Sequence, residues 1–303
     1  LGVRGIARDL AARGLGTLKQ RDVPAVEGQF PCPISVSIDE DTLDQCPVFY
    51  GRVIRGVKNG PSPAWLQDKL RAIGLRPISF LVDVTNFFTY DRNRPLHVFD
   101  ADKVAGNSLR IHRAEGGETL MGLDDKEYTF SEGMTLISDA EKVESIAGVM
   151  GGAESGCSMD TVNVFVEAAY FDPVRTAYTG RALKINSDAR YRFERGIDPE
   201  WTPYAIEYAI QMILDIAGGE ASEVVVAGKV PEGTLNGVYW LLEELGVRWF
   251  IPTDLGENVP RMATVTIPEM RRRVEPRFPC RRNHGIDTSI KPDGDIWRRR
   301  LRI

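Results

Sequence analysis

The sequence predicts an α+β fold built from mixed or antiparallel sheets and helices. Three observations predict it. Strand-like runs gather in the middle of the chain, between about Cys46 and Phe171. Helical segments lie at both ends of that region. The two kinds of segment do not alternate in the strand–helix–strand order that builds a doubly wound sheet.

The elements follow in order. "SPAWLQDKLRAIG" (Ser62–Gly74) predicts a helix: Ser62 can cap it, Pro63 suits its first position, Leu66, Leu70 and Ile73 share a face, and Gly74 ends it. "SLRIHRA", "GMTLISD", "VESIAGVM" and "VNVFVEAAYF" predict strands separated by turns rich in Gly, Asp and Glu. Helix follows from Pro173 to about Ala217. Its last member has Asp198 as cap, an apolar stripe of Ala205, Ala209, Met212, Ile213 and Ile216, and Gly218 as stop.

Composition narrows the function classes. The 303 residues are 43% hydrophobic and 27% charged, ordinary for a soluble globular protein. No apolar run approaches the roughly 20 residues of a membrane span. Cys32, Cys46, Cys157 and Cys280 form no close pairs, so neither a zinc site nor a disulfide framework is expected, and a cytoplasmic setting fits. The chain opens at Leu1 on an amphipathic, arginine-bearing stretch that fits a transit peptide or, better, a piece cut from a longer chain. A net charge of −5 argues against a surface broadly coated for nucleic acid, yet leaves room for a local basic groove. No phosphate-binding loop, dinucleotide fingerprint, metalloprotease helix or nucleophile elbow is present. No cofactor and no metal is expected.

Five stretches could carry chemistry. "VDVTNFF" sets Thr85 and Asn86 inside an apolar run, and "RPLHVFD" holds His97, one of three histidines. "AGVMGG" ends a strand in a glycine pair, where backbone N–H groups can approach a ligand. "VFVEAAYF" buries Glu167 among apolar and small residues, costly unless it is bonded. "NSDARYRFERG" aligns Arg190, Arg192 and Arg195 on one helix, readable as a solvated face or as phosphate contacts. Each also has a plain structural reading: a histidine bonded to a turn, a strand ending in a turn, an outward or paired glutamate.

Taken in order, these stretches, with "CPVFYGRVIRGV" and "YAIQMILDIAGGEAS", resemble the editing module of the bacterial phenylalanyl-tRNA synthetase beta subunit over about residues 1–229. The resemblance implies the end of a preceding domain and a linker over 1–43, and an editing domain of two subdomains, with the pocket between them, over 44–229. It implies that the module binds tRNA(Phe) and hydrolyses tyrosine wrongly esterified to it, and that the synthetase alpha subunit is the partner in the parent protein and carries aminoacylation. His97, Asn86 and Gly151 match the catalytic positions. Glu167 matches the reader of the tyrosine hydroxyl, and Thr85, Ser187 and Ala189 match other pocket residues. Arg94, Arg190 and Arg192 are the expected RNA contacts. Two departures stand out. Ser187 occupies a position that is usually Thr, keeping the hydroxyl and losing a methyl. Asn93-Arg94 replaces the usual Gly-Gln, and the added cation either favours tRNA phosphate or disturbs the turn.

Composition changes near Glu232. Residues 233–303 carry 13 Lys+Arg against 9 Asp+Glu, and all but one of those cations are arginine. "GTLNGVYWLLEELGVRWFIP" and "ENVPRMATVTIP" resemble part of the N-terminal domain of alpha-glucuronidase-like glycosidases, which implies an unrelated partial α/β domain over 230–303 with no part in editing. Three functions therefore stand open: an editing hydrolase, a non-catalytic RNA-binding remnant, and a carbohydrate-active accessory module.

Overall fold

The computed structural model describes residues 2–19, 23 and 25–228, together with the backbone of two short strands at Arg248–Trp249 and Glu257–Asn258. The chain divides into two compact units, Leu1–Lys229 and Val230–Ile303. In the second, the two short strands pair antiparallel. The expected helix "TLNGVYWLLEELG" and the arginine-rich end lie outside the described residues.

In chain order the first unit runs α1 (Val3–Ala12), β1 (Ser35–Ile38), β2 (Val48–Arg55), α2 (Ala64–Ala72), α3 (Phe80–Arg92), β3 (His97–Asp100) and β4 (Ser108–Arg113). It continues through β5 (Thr119–Met121), β6 (Glu127–Thr129), β7 (Thr135–Ser138), β8 (Val143–Ile146), β9 (Met150–Gly151) and β10 (Val164–Tyr170). Helices α4 (Pro173–Ala182), α5 (Asp188–Phe193) and α6 (Thr202–Ala217) follow, then β11 (Glu220–Ala221) and β12 (Val225–Gly228). The fold is α+β, as expected. One sheet has the order β11-β2-β10-β3, with β12 also on β2, and all its pairs are antiparallel. The other has the order β1-β4-β7-β8-β9, with β1 parallel to β4.

Strand β10 organises the unit because both its faces are covered. Val164, Val166 and Ala168 pack into one core with Leu81, Val84 and Phe88 of α3 and Ile206, Ile210 and Ile213 of α6. Phe165 and Ala169, one residue out of phase, pack into a second core with Phe49, Phe99, Leu109, Ile111, Phe171 and Phe193. This alternation follows from the two-residue period of a strand. It sends Glu167 to the same face as Phe165.

Several local expectations change. Ser62 does not cap α2; Pro63 holds that position, and the Ser62 hydroxyl donates to Asp83 Oδ2 at 2.6 Å. Ile73 and Ile216 are 43% and 39% exposed, so each apolar stripe is narrower than expected. "VESIAGVM" is not one strand. Gly148, at φ +70°, turns the chain between β8 and β9. Within residues 1–43, β1 is an edge strand of the second sheet, and Phe30 bridges Ser222. Asn93 takes the left-handed conformation at φ 56° that ends α3, a conformation Asn tolerates, so the turn forms without glycine.

A buried ion pair ties the first sheet to its helices. Arg52 of β2 and Glu207 of α6 meet at 3.0 Å, with side chains 1% and 6% exposed. Arg52 also donates to the carbonyls of Ser222 and Val26, and Glu207 accepts from Val26 N at 2.6 Å. Removing one partner leaves the other charge uncompensated in the core. Glu207→Ala should cost about 3 kcal/mol or more of unfolding free energy, measured by urea denaturation, whereas Glu220→Ala, at the exposed pair with Arg55, should cost under about 1 kcal/mol.

Candidate active site

His97 opens β3 and Glu167 lies in the middle of β10, and the two are directly paired across the ladder. Directly opposed residues stand on one face, so imidazole and carboxyl project together toward the second sheet. Gly151 of β9 meets them from that sheet. A Cβ added to Gly151 would fall 2.2 Å from His97 Cε1 and 2.7 Å from Nε2. The ring therefore lies against the Gly151 backbone, and only a residue without a side chain allows it. Phe99 closes the ring's flank, edge-on with centroids 4.4 Å apart. Across the other ladder Glu167 faces Gly51, where a Cβ would collide with the Phe165 ring at 2.1 Å.

The site is enclosed and uncharged. His97 Nε2 and Glu167 Oε2 are cut off from solvent and have no hydrogen-bond partner. Burial pushes the Glu167 carboxyl up to about 8, against a downward pull from Arg94. Burial pushes the His97 imidazole down to about 4. Near pH 7 the pair is a protonated carboxyl beside a neutral imidazole, so each group can donate and accept. An unpartnered buried polar atom is costly, and two of them on one face of the sheet fit a polar guest.

Ser187 stands beside this group. Its hydroxyl accepts from Arg190 N as the cap of α5 and donates at 2.5 Å to the Val149 carbonyl, two residues before Gly151. It thus fixes the strand end that carries Gly151. Ala189 is partly buried against the core that contains Phe165. Thr85 and Asn86 belong to another layer. They lie on α3, whose apolar residues pack on the opposite face of β10, and the Thr85 hydroxyl donates to the Val82 carbonyl at 2.8 Å. No hydrogen bond joins either residue to His97, Glu167 or Gly151.

The expected RNA contacts need correction. Arg94 is 1% exposed, and its guanidinium donates to the carbonyls of Ala169 at 2.7 Å and Asp198 at 3.3 Å. Burial pulls its pKa down to about 9. Arg192 is 5% exposed, pairs with Asp188 at 3.0 Å and lies over the Tyr90 ring at 4.3 Å. Arg190 is spent on Glu194 and the Ile185 carbonyl. These cations hold the fold together from inside. Sequence reasoning missed Arg94 as an internal charge and Gly51 as the space opposite Glu167, and nothing in the sequence itself marks either role.

A two-sheet α+β unit with a buried, uncharged donor–acceptor pair at the junction defines the class of domain. The family described as the B3/4 domain matches residues 45–218, and the chain belongs to it. Among curated proteins, the phenylalanine–tRNA ligase beta subunit of Ruegeria pomeroyi is 65% identical over 261 residues, 86% of this chain and 32% of that protein. The beta subunit of Cereibacter sphaeroides is 62% identical over 233 residues, 77% of this chain and 29% of that protein. The chain thus spans about a third of the length of these relatives. A looser likeness, at TM-score 0.44 and 17% identity, covers 72% of this chain and 58% of a crystal structure of an N-terminal fragment of the phenylalanyl-tRNA synthetase beta subunit from Pyrococcus horikoshii. The glycosidase resemblance of the tail finds no support in these matches. The Ruegeria match, at 261 residues, is longer than the first unit and so runs past Lys229.

Two measurements test the geometry. Gly151→Ala must displace the imidazole or the strand and should cost about 1–3 kcal/mol, as overpacking does, in a denaturant titration. Glu167 binds its proton more tightly folded than unfolded, so its contribution is full below about pH 4.5 and is lost as pH rises through about 8. Glu144, raised to about 7, contributes in the same direction. The lowered His97 pKa acts in the opposite direction between about pH 4 and 6.5, so the net fall in stability should show between about pH 6.5 and 8, and Glu167→Gln should flatten it by up to about 1.4 kcal/mol per pH unit. Equal pH slopes for the two proteins would show that Glu167 is not held neutral.

Proposed function

We propose that this chain is the editing portion of a phenylalanine–tRNA ligase beta subunit, and that it hydrolyses the ester joining tyrosine to tRNA(Phe). The observation that carries the reading is the cross-strand pair of His97 and Glu167, uncharged, packed against Gly151 and with His97 Nε2 and Glu167 Oε2 shut off from solvent.

The chemistry follows from what must be discriminated. Phenylalanine and tyrosine differ by one hydroxyl. An apolar pocket rejects an added hydroxyl weakly, whereas a site with a buried polar group that bonds it discriminates by orders of magnitude. Glu167 is that group: unpartnered, neutral and able to accept the phenol's hydrogen bond. Phenylalanine in its place would leave the carboxyl without a partner. Ester hydrolysis then needs a placed water and donors for the developing oxyanion. Backbone N–H groups about Gly151 serve the second need. A neutral His97 orients the water or the terminal ribose. With its pKa near 4 it accepts a hydrogen bond throughout the neutral range.

In the parent assembly the alpha subunit would carry aminoacylation, and this chain would act on tRNA that arrives already charged. Among the described residues no helix is long and apolar enough to cross a membrane.

The intact chain should deacylate Tyr-tRNA(Phe) and spare Phe-tRNA(Phe) in a filter assay of the labelled esters. Glu167→Ala should bring the two rates together. His97→Ala should slow Tyr-tRNA hydrolysis by about 10²-fold, the scale of a positioned catalytic group. Decay of both esters at the buffer rate with the intact chain would remove the hydrolase reading and leave the non-catalytic RNA-binding one.

A further inference from the structure

The segment Pro173–Gly196 carries six cations and two carboxylates, a local charge of +4 in a chain of −5. Three of the cations, Arg190, Arg192 and Arg195, are paired to acids. The other three, Arg175, Arg181 and Lys184, are exposed, and none makes an ion pair among the described residues. They lie on and just beyond α4, whose solvent side also exposes Tyr178 at 56%. Tyr191 of α5, 43% exposed, has one ring face covered by Arg195 at 3.6 Å.

Helices α4 and α5 form one surface. A Cβ on Gly180 of α4 would meet the Arg190 side chain at 2.2 Å, so α5 crosses α4 in close contact there. A groove along α4, lined mainly by its apolar residues Val174, Ala177 and Ala182, also takes in Tyr178, Arg181 and Glu194. Glu194 is already engaged by Arg190 at 3.0 Å and Arg195 at 2.7 Å, so its charge is compensated. The surface adjoins the candidate site through Ser187, which lies between the two helices and is bonded to the strand end that carries Gly151.

We propose that the α4–α5 face is the docking track for the single-stranded 3′ end of an RNA, with Arg175, Arg181 and Lys184 on its phosphates and Tyr178 stacked on a base. Unpaired exposed cations beside an exposed aromatic ring are what a single strand needs, because phosphates take the charge and any base offers a face to the ring. A duplex would shield its bases from Tyr178. The proposal rests on the editing reading for its ligand, since an ester at an RNA 3′ end must be led to the candidate site. It replaces the buried arginines with their exposed neighbours as the contacts.

The test is fluorescence anisotropy with a labelled 12-nucleotide single-stranded RNA ending in CCA and carrying no amino acid, so that binding is read apart from hydrolysis. Arg175→Glu, Arg181→Glu and Lys184→Glu together should weaken binding at least 10-fold at low salt. They should also flatten the salt dependence by about two in log–log slope, the release expected for three phosphates of a single strand. The same reversal at Lys58, Lys69 and Arg76, exposed residues of the loop before α2, of α2 itself and of the segment after it, should leave binding unchanged. Tyr178→Ala should weaken the single strand several-fold and a duplex of equal length hardly at all. Binding without ester hydrolysis would sink the hydrolase and keep the track. Unchanged affinity in the triple variant, or equal weakening by the control reversal, would overturn the track whether or not the ester is hydrolysed.

Discussion

The contact between the His97 imidazole and the Gly151 backbone is the constraint on which the site depends. It joins two sheets that otherwise have separate strand orders, and it does so at a position that admits no Cβ. The ring is held by packing on Gly151 and Phe99, and its Nε2 stays available. Ser187 stiffens the other side of the same contact by tying α5 to Val149. A polar pair held this way is preformed: the chain has already met the cost of burying two polar groups before a guest arrives.

That cost determines the electrostatics. Glu167 has Arg94 close enough to lower its pKa, yet burial outweighs the cation and the carboxyl stays protonated near neutrality. Arg94 itself donates to backbone carbonyls and forms no ion pair among the described residues, so it acts at a distance rather than as a salt-bridge partner. In the proposed function this balance has a purpose. A free carboxylate locked in an ion pair could not respond to a single phenolic hydroxyl, whereas a neutral carboxyl with an unused oxygen can.

Parts of this arrangement were legible in the sequence and parts were not. The α+β class followed from strand runs that gather between helices, and Glu167 was conspicuous as the one carboxylate in "VFVEAAYF" because a two-residue period leaves few places to hide it. Pattern reasoning failed where tertiary contacts override local signals. Ser62 looks like a helix cap, but Asp83, 21 residues away, takes its hydroxyl. "VESIAGVM" looks like one strand, but Gly148 can turn the chain and does. The role of Gly151 could not be derived from spacing, because what excludes its side chain is a ring 54 residues earlier in the chain. For the tail, sequence likeness to a glycosidase domain pointed away from where the relatives lie.

The arginines show why net charge is a weak guide to partners. Counted as a run in the sequence, Arg190, Arg192 and Arg195 look like a cationic stripe on one helix. Arg190 and Arg192, two residues apart, project to different sides of α5, and Arg195 lies beyond its end at Phe193. Arg192 turns inward to Asp188 and Tyr90, Arg190 lies against Gly180 of α4, and Arg195 folds onto Tyr191. On α4 the spacing works the other way. Tyr178 and Arg181 are three apart and fall on one side, with Arg175 three residues before Tyr178, and Lys184 lies just past the helix end in the left-handed conformation. The same segment thus uses one set of cations to hold the site's supporting helix in place and leaves a second set facing water. Only periodicity read together with burial separates the two, which is why an acidic chain can still hold a strip suited to a polyanion.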